Sequence, residues 1–301
     1  MVASDELAHL PNLDLNRWVP EDDGLWHSEA EELAERLREG RVCVLTGAGL
    51  STESGIPDYR GGGTARRAQN PMRLAEFLSS SAMQKRYWAR SLIGYGRMSQ
   101  ALPTLGHNAL RRLELAGITS GLITQNVDGL HGKAGSTPIE LHGALAEVIC
   151  LSCGRRDERA RIQKEMVQQN PHLSLTNVPL KPDGDADFPD ELLETFRVPT
   201  CANCQGPLKP DVVFFGEGVP KPRVERALAL LEASQALLVV GSSLAVLSGY
   251  RFVRRARELG RAVYLVNIGP TRADPEAQLK VKGRASHVMH FVAERLLLSS
   301  S

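Results

Sequence analysis

A short apolar run that ends in a glycine-rich loop constrains the fold of this chain more than any other feature. The run Val42–Thr46 is rich in β-branched residues, and Gly47-Ala48-Gly49-Leu50-Ser51 follows it directly. This order predicts a buried strand that delivers a loop at its carboxyl end. The two glycines allow positive φ and a close approach of the backbone to a ligand, and amides at the start of a following helix would face an anion. The loop is therefore typical of a phosphate-binding turn.

The loop matches the dinucleotide-binding fingerprint only in part. Thr52 stands where the third glycine is expected, and no ribose-binding acid follows about 20 residues later. A tight strand-to-helix turn without a ligand is the alternative interpretation. The ligand-binding interpretation is favoured because the loop is followed by polar residues that a turn alone does not require. They are Ser51, Glu53, Ser54, Asp58 and Arg60, set around Gly55 and Pro57.

Three further apolar runs end in small or polar residues. Gly121–Thr124 leads into Gln125-Asn126, Ala236–Val240 into Gly241-Ser242-Ser243, and Ala262–Val266 into Asn267. A helical segment over Tyr250–Leu259 separates the last two runs, so strands and helices alternate as in an α/β fold with a doubly wound parallel sheet. Ligands of such sheets lie beyond the carboxyl ends of the strands, so we expect four strand ends to line one crevice.

The composition excludes several classes of function. The 301 residues are 42% hydrophobic and carry 36 basic against 35 acidic side chains, so we expect a sizeable core and no general basic field for nucleic acid. The acidic N-terminus has neither the basic nor the apolar region of a signal peptide, and no run of about 18 apolar residues predicts a membrane span. We therefore expect a cytoplasmic protein that binds neither a membrane nor nucleic acid directly.

Two cysteine pairs give the strongest local signal. Cys150-x-x-Cys153 and Cys201-x-x-Cys204 would supply four thiolates to one tetrahedral, structural zinc ion with no open position for catalysis. The segment between the pairs exceeds the roughly 15–20 residues of a usual zinc ribbon, so an insertion must loop out of the module. Four unrelated buried cysteines are the alternative. Cys43 lies within the first predicted strand and is interpreted as a core residue.

Polar groups near the predicted crevice could perform acid–base chemistry. Asn126 and Asp128 follow the second predicted strand, and His142 stands in Glu140-Leu141-His142-Gly143 just before the first cysteine pair. Together they offer an amide, a carboxylate and a general base. A structural role is the alternative for each histidine, and His107, in the first turn of a helix predicted over Pro103–Ala116, is interpreted as structural.

Several motifs in the same order resemble the sirtuin family over about residues 30–295. They are Gly47–Ser51, Gly55–Arg60, Thr124–Asp128, the four cysteines and Lys209–Glu217. A second set resembles the class II branch of that family, to which a mitochondrial sirtuin of animals belongs: Arg86–Arg90, Gly241–Leu244, Ser248–Phe252 and Val266–Asp274. The long spacer between the cysteine pairs also suits that branch.

This resemblance implies an enzyme, an NAD-dependent protein-lysine deacylase. NAD and an acylated-lysine protein or peptide would meet in a cleft between a Rossmann-like domain and a small zinc-binding domain. In the mechanism of the family, the acyl oxygen attacks the ribose carbon as nicotinamide leaves, and a histidine then activates a ribose hydroxyl to attack the resulting imidate. The products are nicotinamide, free lysine and O-acyl-ADP-ribose.

The resemblance also implies roles for individual residues. His142 would be the base, acting with Asn126 and Asp128. Gly47, Ala48, Gly49 and Arg60 would hold the pyrophosphate side of NAD, Gln125, Asn126 and Asp128 the nicotinamide and ribose region, and Gly241, Ser242, Ser243, Asn267 and Ile268 the adenosine half. The other implied cofactor contacts are Ser51, Glu53, Asp58, Tyr59, Gly269 and Ala285. Substrate would contact Val213, Phe214, Phe215 and Gly216.

In more detail, Val213 and Phe215 would line the tunnel for the acyl-lysine stem, on a strand that pairs with an extended peptide. An ordinary core strand over Val212–Phe215 is compatible with this, because strand residues alternate faces. The glycines at 61–63 would serve as hinges of a mobile lid. Tyr59 departs from the phenylalanine of many sirtuins and no Tyr-x-x-Arg arrangement for succinyl groups is present, so the resemblance leaves the acyl specificity open.

Two other functions compete with deacylation. Mono-ADP-ribosyl transfer to a protein would use the same NAD site with a different nucleophile. A non-catalytic NAD- and zinc-dependent regulatory protein would keep the binding residues without using the base. A dehydrogenase is disfavoured, because the ribose acid is missing and the zinc site is closed.

The predicted domain organisation follows from these motifs. Residues 1–28 form an N-terminal extension, 29–146 and 207–296 a discontinuous Rossmann-like domain with a helical insertion at about 64–102, 147–206 a zinc-binding module, and 297–301 a tail. Within the module we expect a helix over Arg155–Gln169 and a solvated loop over Pro182–Asp187, whose aspartates lack the pattern of a calcium-binding loop. A further helix is expected over Glu31–Glu39, ending at Gly40.

Overall fold

The computed structural model of this chain describes residues 24–58, 71–171 and 193–298. The predictions for Tyr59, Arg60, the glycines at 61–63 and the loop at 182–187 lie outside these residues. Within the described residues, no helix combines the length and the apolar character needed to cross a membrane.

Six parallel strands form the larger of two sheets. Numbered in chain order, they are β1 Val42–Thr46, β2 Thr119–Thr124, β3 Ile139–Glu140, β7 Ala236–Val240, β8 Ala262–Val266 and β9 Leu279–Val281. The spatial order is β3-β2-β1-β7-β8-β9, and every neighbouring pair is parallel. The order reverses beside β1, which is the position where ligands of doubly wound sheets bind. The four strands predicted from the sequence are all confirmed, with β2 beginning two residues earlier than expected.

The helices lie on both faces of this sheet and in the segments that leave it. They are α1 His27–Leu37, α2 Leu74–Ser79, α3 Ser81–Met98, α4 Leu105–Leu115, α5 Leu130–Lys133, α6 Arg159–Gln169, α7 Lys221–Glu232, α8 Leu247–Glu258 and α9 Ala285–Leu298. Short 3-10 helices cover Ala48–Leu50, Thr52–Ser54 and Asp274–Glu276.

Strand side chains alternate between two apolar cores. Val44, Leu122 and Leu238 pack on one face with buried residues of α1, α4 and α9. Their strand neighbours, including Leu45 and Val239, pack on the other face with buried residues of α7 and α8. Because both faces are buried, the strands are continuous apolar runs, as parallel sheets require.

A second, antiparallel sheet of three strands forms a smaller body. It consists of β4 Gly143–Cys150, β5 Arg156–Glu158 and β6 Leu208–Val212, in the order β5-β4-β6. The helices α2 and α3 of the predicted insertion share one core with this sheet. Within that core the indole Nε1 of Trp88 donates a hydrogen bond to the Leu208 carbonyl at 3.0 Å. Strand β4 begins before residue 147 and strand β6 lies wholly beyond residue 206, so the small sheet includes residues on both sides of the predicted module.

Several predicted elements differ in their bounds. The helix expected over Glu31–Glu39 runs from His27 to Leu37, and the helix expected over Pro103–Ala116 runs from Leu105 to Leu115. The helix expected from Arg155 begins at Arg159, because the preceding residues pair with β4 as strand β5. The helix expected from Tyr250 already begins at Leu247. The strand expected over Val212–Phe215 ends at Val212, and beyond it the chain leaves the small sheet and forms one parallel bridge between Phe215 and Arg73.

Candidate active site

The loops after β1 and β7 are joined by their backbones at the centre of the large sheet. The Gly47 amide donates to the Val240 carbonyl at 3.0 Å, and the Gly49 amide donates to the Gly241 carbonyl at 2.8 Å. The next residues form the 3-10 turn Ala48–Leu50, on which α9 packs. Two of the strand ends expected to line the crevice are therefore in direct contact.

The glycines of this loop differ from the prediction in their backbone conformation. Neither Gly47 nor Gly49 has positive φ, whereas Gly241 has φ of 64°. A Cβ atom on Gly47 would stand 2.7 Å from the Cβ of Ser242, and one on Gly49 would stand 2.9 Å from the Gly241 carbonyl oxygen. These glycines are needed because two loops approach each other closely, and both of their amides are used within the protein rather than offered to an anion.

Asn126 and Asp128 lie against the same loop. The Asn126 Nδ2 atom donates to the Gly47 carbonyl and to Ser51 Oγ, each at 3.1 Å. Ser51 Oγ in turn donates to Asp128 Oδ2 at 2.7 Å, and the Leu130 amide donates to Asp128 Oδ1 at 2.9 Å. Because both amide hydrogens of Asn126 are used, its carbonyl oxygen is the group it offers to a ligand. Burial raises the pKa of Asp128, and the bonds from Leu130 and Ser51 oppose that rise.

His142 stands where the chain passes from the large sheet into the small one, between β3 and β4. Its Nδ1 lies 2.9 Å from the Gln125 carbonyl oxygen and its Nε2 lies 2.8 Å from Ser248 Oγ. A carbonyl oxygen can only accept, so Nδ1 carries the hydrogen and Nε2 presents the lone pair. The turn needs a glycine at 143, because φ there is 83° and a Cβ would collide with the Asp211 carbonyl oxygen.

Burial lowers the pKa of His142 to about 4. The hydrogen bond to the Gln125 carbonyl opposes this decrease, while the positive charges of Arg223 and Arg251 add to it. The half-buried imidazole is therefore neutral at pH 7 and able to accept a proton.

Gln125 connects the base to the loop after β7. Its backbone carbonyl holds His142, and its side-chain Oε1 accepts a hydrogen bond from Ser242 Oγ at 2.7 Å. Ser242 Oγ also accepts from the Leu244 amide at 3.2 Å. Leu244 is buried and has φ of 54°, an uncommon conformation for a residue with a side chain. The predicted residues Gln125, Ser242 and His142 are thus one connected set.

The other predicted cofactor residues lie farther along the same edge. Asn267 follows β8, and its Nδ2 donates to the Gly269 carbonyl at 2.9 Å. Ile268, Ser243 and Asp58 are half-buried. Ala285 is a buried first residue of α9, and Glu53 is exposed, with Oε1 3.4 Å from His287 Nε2. Among the described residues, no hydrogen bond or ion pair joins Ala285 or Glu53 to His142.

The predicted substrate segment, residues 213–216, is attached to the base through the main chain. The Val213 amide donates to the His142 carbonyl at 2.8 Å. Phe214 is buried and packs edge-on against Phe77, so its side chain belongs to the core, whereas Val213 and Phe215 are half-buried. Gly216 is exposed and has φ of 79°.

Two residues without an assigned role in the sequence analysis hold this segment. The buried Lys209 Nζ donates to the Val212 carbonyl at 2.6 Å and lies 2.9 Å from Glu217 Oε2. Glu217 Oε2 also accepts from the Phe214 amide at 2.8 Å. The motif Lys209–Glu217 was visible in the sequence, but its ion pair between a buried lysine and a half-buried glutamate depends on a turn that brings the two ends together.

Glu140 is a further titratable group beside the base. Burial raises its pKa to about 7, with repulsion from Glu147 in the same direction and attraction by Arg223 against it. Sequence reasoning did not single it out, since a glutamate two residues before a histidine carries no signal of burial.

The four predicted zinc ligands form one cluster. Their Sγ atoms all lie within 4.8 Å of one another, with Cys150 and Cys204 at 3.5 Å and Cys153 and Cys201 at 3.7 Å. Tetrahedral zinc thiolates stand about 3.8 Å apart, so the set fits one zinc ion. The amides of Ser152 and Asn203 donate to Cys150 and Cys201. Cys43 is a separate buried thiol within β1, as predicted.

The fold and the site together define a class of protein. A doubly wound parallel sheet gathers hydroxyl, amide, carboxylate and imidazole groups at its switch point, and an adjoining module carries a four-thiolate metal site of the structural type. These are features of a nucleotide-binding α/β enzyme with a structural zinc module.

Comparisons with known proteins identify the family within that class. The model of the Sir2 family matches residues 47–248, and the chain belongs to this family. The chain is 47% identical to NAD-dependent protein deacetylase 1 of Streptomyces coelicolor, over 88% of this chain and 89% of the relative. It is 44% identical to the mitochondrial NAD-dependent protein lipoamidase sirtuin-4 of Bos taurus, over 92% and 90%. A solved structure of Sir2 with a p53 peptide and NAD+ is 32% identical, with a TM-score of 0.68, and covers 90% of this chain and 98% of that one.

Proposed function

We propose that this protein is an NAD-dependent protein-lysine deacylase in which His142 is the general base. The observation that carries the proposal is the fixed tautomer of His142, whose Nε2 lone pair stands at the junction of the two bodies. The relatives named as NAD-dependent deacetylases and the family membership support the same activity. The domain division predicted from the sequence is part of this proposal, with substrate and NAD entering between the large and the small body.

The donor set at the strand ends suits NAD. Hydroxyl groups of Ser51 and Ser242, the carboxylate of Asp128 and the carbonyl oxygen of Asn126 match the polar groups of a ribose and a carboxamide. When bound, NAD supplies the ADP-ribosyl group that receives the acyl group as nicotinamide departs. We assign Gly47–Gly49, Ser51, Gln125–Asp128, Gly241–Ser243 and Asn267–Gly269 to its binding.

His142 moves the proton in this proposal. Its Nε2 accepts the proton of a ribose hydroxyl, while Nδ1–H stays bonded to the Gln125 carbonyl and keeps the ring oriented. Arg223 and Arg251 disfavour the protonated form, so the imidazole releases the proton again after the transfer. No metal chemistry is needed, because four thiolates would complete the coordination of the zinc ion in the small body.

The peptide would bind along residues 213–216. This segment leaves the small sheet with its main chain anchored by Lys209, Glu217 and the His142 carbonyl, which favours main-chain recognition of an extended peptide. The half-buried Val213 and Phe215 are proposed to line the passage for the acyl-lysine stem.

The proposal is tested with acyl-lysine peptides, from acetyl to long-chain and acidic acyl groups, incubated with the protein and NAD. We expect acyl loss matched one-for-one by nicotinamide release, both followed by mass spectrometry. His142→Ala should lower the rate of acyl removal by roughly 100-fold to 10,000-fold while NAD binding, measured by calorimetry, persists. The exposed His27 offers a matched control, His27→Ala, which should keep the wild-type rate.

Other results would redirect the proposal. A mass gain on an acceptor protein without acyl loss would indicate ADP-ribosyl transfer. Wild-type acyl removal by His142→Ala would contradict the assigned base, and the absence of any nicotinamide release with every peptide would contradict the activity.

We also propose that the protein acts in the cytoplasm. None of its five cysteines forms a disulfide, which is typical of proteins from reducing compartments. Cell fractionation with an antibody against the chain tests this, and recovery in a membrane or secreted fraction would contradict it.

A further inference from the structure

Ser248 is in direct contact with the lone pair of the proposed base. It is the second residue of α8, and its Oγ lies 2.8 Å from His142 Nε2. Since Nδ1 carries the imidazole hydrogen, Nε2 has none to give and the serine hydroxyl must be the donor. The proposed reaction gives this hydroxyl no chemical role.

The position of Ser248 is determined by a close approach between α8 and Gln125. Gly249 faces the Gln125 side chain, and a Cβ atom at 249 would stand 2.5 Å from Gln125 Nε2. Gln125 is also the residue whose carbonyl holds Nδ1. The two hydrogen bonds at opposite ends of the imidazole therefore belong to one tightly packed unit, which keeps the ring plane from rotating.

We propose that Ser248 is a positioning residue for His142, which holds Nε2 as a hydrogen-bond acceptor aimed into the site until a substrate hydroxyl replaces the serine hydroxyl. This inference rests on the proposed function in one respect, which is the assignment of His142 as the general base. Replacement requires the serine to rotate about a single side-chain torsion, and the ring keeps its bond to Gln125 throughout.

This role has an electrostatic consequence. A hydrogen bond donated to Nε2 stabilises the neutral imidazole, because the protonated ring has no lone pair to accept it. It acts in the same direction as burial and the charges of Arg223 on α7 and Arg251 on α8, and against the bond to Gln125. Removal of the hydroxyl should therefore make His142 easier to protonate.

The experiment compares Ser248→Ala, Ser248→Thr and the wild-type protein. Nitrogen-15 spectra of histidine-labelled protein at pH 7.5 report the Nε2 resonance of His142, assigned by its absence in His142→Ala. In Ser248→Ala we expect this resonance to move toward that of an imidazole nitrogen without a hydrogen bond. We also expect the acid limb of kcat/KM to move upward by roughly 0.5–1 pH unit, with KM for NAD within about twofold of wild type.

Two variants serve as controls. Ser248→Thr keeps the hydroxyl and should restore both the resonance and the acid limb. Ser79→Ala removes an exposed hydroxyl that bonds only within its own helix, to the Glu76 carbonyl, and should change neither. Alanine is the best helix former, so Ser248→Ala should preserve α8.

An unchanged Nε2 resonance or an unchanged acid limb in Ser248→Ala would overturn the positioning role, as would failure of threonine to restore them. The resonance is measured without substrate, so it decides this inference even if no acyl peptide is turned over. Lack of turnover by the wild-type protein would overturn the proposed function alone.

Discussion

At the end of β7, the backbone of Gly241 holds the glycine loop after β1. Its φ of 64° is unfavourable for residues with a side chain, and a Cβ atom there would stand 2.5 Å from the Leu50 amide nitrogen and 2.8 Å from the Gly49 carbonyl carbon. Both loops belong to the proposed NAD site. Because Gly241 has no side chain, the loop after β7 can lie this close to the loop after β1.

This close approach can be separated from backbone strain by two variants. Gly260 has nearly the same φ, 65°, but a Cβ atom there meets nothing within 4 Å. Gly260→Ala should lower the free energy of unfolding by about 1 kcal/mol from strain alone. Gly241→Ala should cost more than ~3 kcal/mol and abolish NAD binding, because backbone atoms must move apart. Equal losses in urea unfolding, with NAD binding retained in both variants, would contradict this account.

At the scale of elements, the metal site and the helical insertion depend on one core. Cys150 and Cys201 are buried in the same cluster as Trp88 of α3 and Val148 of β4. The zinc ion would thus stabilise helices that come from a distant part of the sequence. A structural metal of this kind contributes directly to folding.

Removal of zinc should therefore change the fluorescence of Trp88. In a background with Trp18 and Trp26 replaced by phenylalanine, a chelator should shift tryptophan fluorescence to longer wavelength and lower Tm by at least ~5 °C. Cys201→Ala should lose the zinc ion, whereas Cys43→Ala, a change of a thiol inside β1, should still bind one zinc per chain. Unchanged melting after complete removal of the metal would show that the thiolates do not stabilise this core.

At the scale of the whole molecule, two buried histidines make stability depend on pH. Burial lowers the pKa of His107 to about 4, and burial, followed by repulsion from His107, lowers the pKa of His131 to about 3. The Thr104 amide donates a hydrogen bond to His107 Nδ1. The Thr46 hydroxyl donates its hydrogen to Thr124 Oγ1, so Thr46 Oγ1 accepts a hydrogen bond from His131 Nε2. The other nitrogens of the two rings, His107 Nε2 and His131 Nδ1, have no hydrogen-bond partner among the described residues. His107 Nε2 carries a hydrogen and is a donor, whereas His131 Nδ1 has a lone pair and is an acceptor.

The sign of the pH effect follows from proton counting. A histidine in the unfolded chain has a pKa of about 6.5, so below that pH the unfolded chain binds protons that the buried rings of the folded protein do not. The stability contributed by the neutral rings is therefore complete above about pH 6.5 and declines as the pH falls toward their pKa values in the folded protein. His142 acts in the same direction, whereas Glu140, whose pKa burial raises to about 7, opposes it.

Three buried histidines, opposed by Glu140 and by the raised pKa of Asp128, predict a net loss of stability of roughly 1–3 kcal/mol per pH unit near pH 5.5. Urea unfolding at pH 7.5, 6.5, 5.5 and 5.0 measures it. His131→Gln, which still offers Thr46 a donor, should reduce the slope by about 1.4 kcal/mol per pH unit. A slope that is the same in this variant and in the wild type would mean that His131 is not buried in its neutral form.

Much of the fold could be predicted because strong local signals agree with it. The runs that became β1, β2, β7 and β8 are apolar and end in small residues, and strands buried on both faces require that pattern. The cysteine spacing predicted the thiolate cluster for a similar reason, since a metal site needs ligands at short, regular intervals. Bounds were less predictable where pairing decided them, as at Arg156–Glu158, which pairs with β4 instead of extending α6.

The sequence by itself determined the strand-and-helix alternation, the thiolate set and the polar residues that follow each strand, because those depend on side-chain pattern and spacing along the chain. Only the tertiary structure decided that Gly47 and Gly49 serve the contact with Gly241, that Ser248 meets the base, and that α3 shares a core with the cysteines. Each of these joins segments that are remote in sequence. Their relation is set by packing of whole elements, and no local pattern encodes a distance between two elements.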